Sequence, residues 1–360
     1  MPFPAPVRRT ATRMMALVAA TITVCLTVAV PAGAAPVAAG APGPVTAAGL
    51  LAAPDVADPE GGSPSLRQQL EAASKGYLDA KAALDNSIKR QKQLTEHLAA
   101  IEAELPARTA TVGELAGAAY RTGRLSTVAA LLNSDSPDGF LDRAATLGVV
   151  ASNEDRQLRA LLDTRERESR AKAALDNEIR EQRKQVAVMA SRKQQAERAL
   201  AVAGSGSPSA GVTGSNTSTA KPAPRNSDGS WPRESCSVND PTTSGCITPR
   251  TLHAMNQAKA AGFTRYVSCY RSGGSGEHPK GRACDFAAQK GGFGGVATGG
   301  DRTYGNNLAA YYVNNANRLG VLYVIWFKQI WLPSSGWKSY SGGNGDPSSD
   351  HTNHVHLSVY

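Results

Sequence analysis

The sequence predicts an α+β protein, in which an all-α antiparallel coiled-coil hairpin arm precedes a compact domain mixing helices with strands. Three observations carry this reading. Apolar residues recur at helical spacing over residues 64–203. A Gly/Ser/Thr/Pro run over 204–230 then breaks the pattern. Beyond it, over 231–360, short aromatic and β-branched runs are interleaved with capped helical segments.

The chain opens with Arg8, Arg9 and Arg13, an apolar run "MMALVAATITVCLTVAV" and the small-residue stretch "PAGA". That order is a secretory signal peptide over residues 1–34, cleaved after Ala34. If it stays uncleaved, the same run becomes an N-terminal membrane anchor. Cys25 follows Val24, which does not suit a lipoprotein site. A secreted, cell-wall-associated protein is therefore expected. Residues 35–63 are Ala, Pro and Gly without period, a flexible spacer. The formal charge of +9 suits anionic partners such as a cell wall or lipid headgroups. Nucleic acid is not expected, because no helix-turn-helix or lysine–aromatic platform is present.

In the arm, Leu94, Leu98, Ile101 and Leu105 step by four, three and four. Leu175, Gln182, Met189 and Ala196 interleave with Ile179, Val186, Lys193 and Leu200 at heptad spacing. An internal repeat, "AKAALDN", begins at Ala80 and again at Ala171. Between the two copies lie Gly123, Ser136, Pro137 and Gly139, all helix breakers, in a denser apolar stretch. Two long helices with a small helical insertion at the tip follow from this. Such an arm serves as a spacer stalk or as a regulatory element that docks a partner.

Four cysteines remain once the signal is removed: Cys236, Cys246, Cys269 and Cys284. An even count in an exported chain implies two disulfides, with three pairings open. The expected pairing is Cys236–Cys246, which closes a short loop, with Cys269–Cys284. The rival, a four-cysteine zinc cluster, lacks any C-x-x-C pair. Thr248, Pro249 and Gly262 frame one helix, and "YGNNLAAYYVNNANRLG" forms a second that stops at Gly320. "RYVSCYR", "ACDFA", "VLYVIWF" and "HVHLSV" read as strands.

Four of the six histidines fall in two clusters, "GEHPKGRACDFA" and "DHTNHVHLSVY". His354 and His356 are two apart on a predicted strand, so they share a face. His278 reaches the same region from a loop turned by Gly281, and Asp285 stands on the next strand. With one histidine of the pair they supply two nitrogens and a carboxylate oxygen, the donor set of a catalytic zinc (Zn2+) site with an open position. The second histidine is then free to move a proton. His97 and His253 read as helix residues away from this group.

"SGEHPKGRACDF" followed by "HTNHVH" resembles the metallopeptidase superfamily that joins lysostaphin, D-Ala-D-Ala peptidases and hedgehog domains. The resemblance covers about the last 130 residues. It implies a hedgehog/D,D-peptidase-like zinc domain in which His278, Asp285 and His356 hold the metal. His354 would be the base or transition-state stabiliser. The spacing of His351, His354 and His356 is similar to the penicillin-insensitive murein endopeptidase branch. "VSCYRSG" looks like the D-Ala-D-Ala peptidase branch, which makes Arg271 the candidate for a substrate carboxylate or carbonyl. Many members of that branch carry a glutamate base where this chain has Asn353, so the base falls to His354, His351 or Asp350. The activity implied is hydrolysis of amide bonds in peptidoglycan stem peptides or cross-links. The alternative is a non-catalytic wall-binding or hydrolase-regulating protein that keeps the fold. Trp326, Trp331, Trp337 and Tyr340 are candidate cleft walls. The arm resembles coiled-coil regions of secreted, division-associated murein hydrolases, which implies a membrane-embedded division-complex partner.

Overall fold

A computed structural model of the chain describes residues 62–360 apart from 124 and 216–217, all within one compact unit, Ala53–Tyr360. The expected signal peptide, Cys25 and nearly all of the 35–63 spacer lie outside the described residues.

The arm is a pair of long helices, α1 (Pro64–Thr122) and α3 (Pro137–Val202), with a short α2 (Leu125–Leu132) between them. Each long helix starts on the same chemistry. Ser63 accepts a hydrogen bond from the Leu66 amide at 3.1 Å, and Ser136 accepts one from the Gly139 amide at 3.1 Å. Both caps are followed by proline, whose missing N–H costs nothing in the first turn. Gly123 ends α1 with φ 67°, a conformation that favours glycine. The helices run antiparallel, as their cross-pairs show. Arg90 pairs with Glu178 at 3.0 Å, Gln91 with Gln182 at 2.8 Å, and Glu104 with Arg167 at 2.9 Å. Ile101, Leu161 and Ala171 are buried in the seam, whereas Val186 is exposed. The heptad row through Val186 is therefore mixed, with Val186 and Lys193 exposed, Ile179 half-buried and Leu200 buried at the root. Among the described residues no helix is long and apolar enough to cross a membrane.

After the arm come β1 (Val238–Asn239), β2 (Cys246–Ile247), α4 (Pro249–Ala260), β3 (Val267–Ser268), β4 (Ala283–Ala287), α5 (Gly299–Asn314) and α6 (Ala316–Leu319). The chain ends with β5 (Val321–Trp326), β6 (Gln329–Leu332), β7 (Gly336–Ser339) and β8 (His354–Val359). The first two strands form a small ladder; the other six make one antiparallel sheet in the order β3-β4-β8-β5-β6-β7. This is an α+β architecture. The last strand to form in sequence inserts between β4 and β5, so the two histidine-bearing segments meet at the centre of the sheet.

Alternation along the strands divides the residues between two faces. Val267, Phe286, Val324, Trp326, Val355 and Leu357 face a core shared with α4 and α5. Tyr323, Ile325, Ile330 and Leu332 face the opposite way, where they pack against Leu66, Leu70, Ala73, Ala196, Ala199 and Leu200 of the arm's root. The root is thus a third layer over half of that face.

The described residues of 204–230, whose composition predicts a flexible linker, lie along the domain. Gly206 donates to Ser339 O at 3.0 Å, Ala220 to Asn315 Oδ1 at 2.8 Å, and Ala223 to Arg318 O at 2.8 Å. Glycine and serine make this contact close: a Cβ on Gly211 would fall 2.3 Å from the Trp337 ring. The two disulfides are Cys236–Cys246 and Cys269–Cys284, the expected pairing.

Candidate metal centre

His278 arrives on a tight turn. Its carbonyl accepts from the Gly281 amide at 2.9 Å, and the Glu277 carbonyl accepts from Arg282 at 2.9 Å. Gly281 sits at φ 68°, and a Cβ there would meet Cys236 Sγ at 2.6 Å, so the turn requires glycine. Asp285 and His356 are direct partners across β4 and β8 and therefore project from one face. Ala287 is opposite His354 in the same ladder.

One donor atom from each of His278, Asp285 and His356 lies within 4.8 Å of the others, and all three residues are buried. Asp285 Oδ2 is 3.2 Å from His278 Nε2, and Asp285 Oδ1 is 2.9 Å from His356 Nδ1. The outer nitrogens are engaged elsewhere. His278 Nδ1 meets the carbonyl of Cys269, which can only accept, so this nitrogen carries the proton and Nε2 keeps its lone pair. His356 Nε2 lies 2.8 Å from Ser358 Oγ, which leaves Nδ1 for the interior. The facing nitrogens, His278 Nε2 and His356 Nδ1, are 3.4 Å apart beside a carboxylate. Two facing imidazole nitrogens and a carboxylate this close together call for a proton or a cation between them, and this donor set fits zinc. The Cys269–Cys284 bridge supports the same geometry. It links the residue that holds His278 to the residue just before Asp285.

Burial opposes charge on Asp285, but positive charge on the facing imidazoles of His278 and His354, the place a bound cation would take, overcomes it and holds the carboxyl well below its usual range. His354 Nε2 stands 3.4 Å from Asp285 Oδ1, at the edge of the group. His351, at φ 52°, is fully buried with its ring 4.9 Å from that of His354 and 5.7 Å from that of His356. Burial first, then its histidine neighbours, push His351 well below the ordinary histidine value. Its Nδ1 donates to Ser349 O at 3.2 Å, and its Nε2 has no hydrogen-bond partner among the described residues. Arg271 reaches Asp285 Oδ2 at 3.4 Å from the half-buried rim.

The other expected site residues are elsewhere. Asp350 is tied to Lys328 Nζ at 2.8 Å and is not one of the three converging ligands. Trp326 is fully buried on the opposite face, where its Nε1 donates to Asn306 Oδ1 at 2.8 Å. Trp331 packs against that same far core and pairs with Trp337 across β6 and β7. Neither Trp326 nor Trp331 is a cleft wall, because the alternation of β5 and β6 points them away from the metal face. Tyr340 is buried with its ring 6.1 Å from His351. His97 is exposed on the arm, and His253 is occupied by Lys221 O at 2.8 Å.

Two neighbours of the centre, Tyr323 and Phe293, escape the sequence reading, and a third, Asn353, enters it only as the place of a missing glutamate. Tyr323 stacks on His356 with centroids 5.6 Å apart. Phe293 stands exposed at the rim, 5.3 Å from the His354 ring. Asn353 Oδ1 lies 2.7 Å from His354 Nδ1. The glycines around Phe293 in "GGFGG" are the one sequence signal, since an aromatic on so permissive a loop has no core to fill.

The root of the arm also reaches this neighbourhood. Arg67 donates to Ser275 Oγ at 2.9 Å, and Glu71 pairs with Lys280 at 2.6 Å and with Arg282. Glu277 is buried beside the same cations. Burial and then the facing Glu71 push Glu277 up to about 7. Against its own burial, Glu71 is drawn down to about 2 by Glu277, Lys280 and Arg282. Of the two carboxyls, the one on the loop thus holds a proton more readily than the one on the arm.

Residues 243–355 match a family described as "VldE, C-terminal domain". The matched segment is under a third of the chain; it contains His278, Asp285 and His354 and stops one residue short of His356. No curated protein matches the chain in sequence.

Proposed function

We propose that the protein is a secreted zinc-dependent peptidase that hydrolyses stem-peptide or cross-link amide bonds of peptidoglycan. The observation that carries this reading is the convergence of His278, Asp285 and His356 beside a third imidazole, His354, that is not needed as a ligand. When bound, zinc would acidify a water and polarise the scissile carbonyl. His354 Nε2 is placed to take a proton and return it to the leaving amine. Arg271, at the rim, orients a substrate carboxylate or carbonyl. Buried Tyr323 and His351 exclude bulk water from one side, which strengthens each of these interactions. The two disulfides fit an extracellular or periplasmic compartment.

The test is digestion of purified cross-linked muropeptides by the full mature chain, read by mass spectrometry. New amine and carboxyl ends that require bound zinc are expected. Intact muropeptides after incubation with a zinc-loaded chain would favour the second reading, a wall-binding or hydrolase-regulating protein. The arm supports a docking role in either case, since its tip exposes Tyr120, Leu132, Leu141 and Val149. The partner proposed for that tip is a membrane-embedded division complex.

A further inference from the structure

His354 can serve as a base at Nε2 only if its proton resides on Nδ1, and a neutral imidazole in water does not settle that choice. Nε2 stands 3.4 Å from Asp285 Oδ1, beyond ordinary hydrogen-bond length, so the choice falls to the Nδ1 side and the surroundings of Asn353. Asn353 is 2% exposed, and its Nδ2 lies 2.8 Å from Gly294 O and 2.9 Å from Ser348 Oγ. A backbone carbonyl has no proton to give, so the atom facing Gly294 O must be the amide nitrogen, which fixes the orientation of the Asn353 side chain. Its oxygen is then the atom 2.7 Å from His354 Nδ1. An amide oxygen can only accept, so Nδ1 must donate. The ring is also held between neighbours, with Phe293 at 5.3 Å and His351 at 4.9 Å. Backbone bonds anchor the segment from both sides: Ala288 donates to Asn353 O at 2.9 Å, and Ala297 to Thr352 O at 2.8 Å.

We infer that Asn353 is a positioning residue, whose side-chain oxygen holds His354 as the Nδ1–H form and so assigns proton acceptance to Nε2. This deepens the peptidase reading and rests on it for the role of His354, although the tautomer itself does not depend on any activity. The proton balance is simple. A proton leaves the attacking water for Nε2, the imidazolium that forms is stabilised by the Asn353 oxygen at Nδ1, and the proton then goes to the leaving amine. Asn353 neither gains nor loses a proton.

The tautomer is read directly by two-bond 1H–15N correlation on the full mature chain labelled with [15N]histidine, with and without zinc. His354 signals are identified by their loss in His354→Gln. The Nδ1–H pattern is expected for wild type. Asn353→Asp keeps an accepting oxygen toward Nδ1 but loses the amide donors to Gly294 O and Ser348 Oγ; Asn353→Leu loses both. The inference expects the Nδ1–H form in the aspartate variant and the Nε2–H form, or a mixture, in the leucine variant. It also expects kcat on muropeptides to fall about 10–100-fold in Asn353→Leu, with KM and zinc content little changed. An Nε2–H pattern in wild type overturns the inference outright, whether or not either variant folds. An unchanged tautomer in a folded Asn353→Leu also overturns it, and reduces Asn353 to a tether for the 289–295 loop. If the tautomer is as expected but no muropeptide is cut, the peptidase reading falls and the assignment of Asn353 stands.

Discussion

One face of the sheet does two different jobs. Its β5–β6 half, with Tyr323, Ile325, Ile330 and Leu332, is closed by apolar side chains of the arm. Its β4–β8 half, directly alongside, buries Asp285, His354 and His356. Ile325 and His356 are register partners, so the boundary between the two halves is one strand spacing wide. The first half is stabilised by taking carbon surface out of water. The second carries a desolvation cost that only a cation, a proton or complementary hydrogen bonds can offset. Stability and chemistry are therefore adjacent but separable, and substitutions should distinguish them.

The sharpest separation should come from His356→Ala. A mature chain that holds about one zinc ion should hold none after this change, by elemental analysis, while the arm-covered half keeps its unfolding transition. Stoichiometric zinc in that variant would remove His356 from the ligand set. His354→Ala should retain the metal and lose about 10²–10⁴-fold in turnover. On the other half, Leu70→Ala should cost about 2–5 kcal/mol in denaturant unfolding, with zinc still bound below the midpoint. Metal loss ahead of unfolding would show that the halves are coupled.

Smaller effects are expected where the two halves meet. The folded-state carboxyl of Glu71 lies below its ordinary value, so its contribution is present above about pH 4.5 and drains away as the pH falls toward about 2. Glu71→Gln should therefore destabilise the chain by about 1–3 kcal/mol at pH 7, with the gap to wild type closing below about pH 4.5. A constant gap across that range would assign the loss to packing. Least of all, Leu141→Ser at the exposed tip should change stability by under about 0.5 kcal/mol.

Much of this was legible in sequence because its signals are local. Thr248-Pro249 announces a helix start, and His354-x-His356 on a strand places both rings on one face; Ser136-Pro137, which reads as a break, is also the cap that opens α3. Cysteine spacing suggested the pairing found. Less legible was anything set by which face a strand turns inward. Trp326 and Trp331 are aromatic and near the centre in sequence, yet alternation sends both to the far core. Strands β6 and β7 were missed because "QIWL" and "GWKS" are too short to display a period. The composition of 204–230 signals flexibility in isolation, but small residues are also what a segment needs to lie flat against Trp337. The Asn353–His354 contact joins sequence neighbours, yet only the Gly294 carbonyl reveals which end of the amide faces the ring.

The salt-linked, apolar root of the arm also has a mechanical consequence. Because Leu66, Leu70 and Leu200 are locked onto the same sheet that bears His356, the hairpin cannot swivel as a separate body. Helix α1 has 59 residues, roughly 85–90 Å of rod. Anything that grips the far end therefore sets how far away, and in which direction, the candidate metal centre lies, as a ruler fixes a depth.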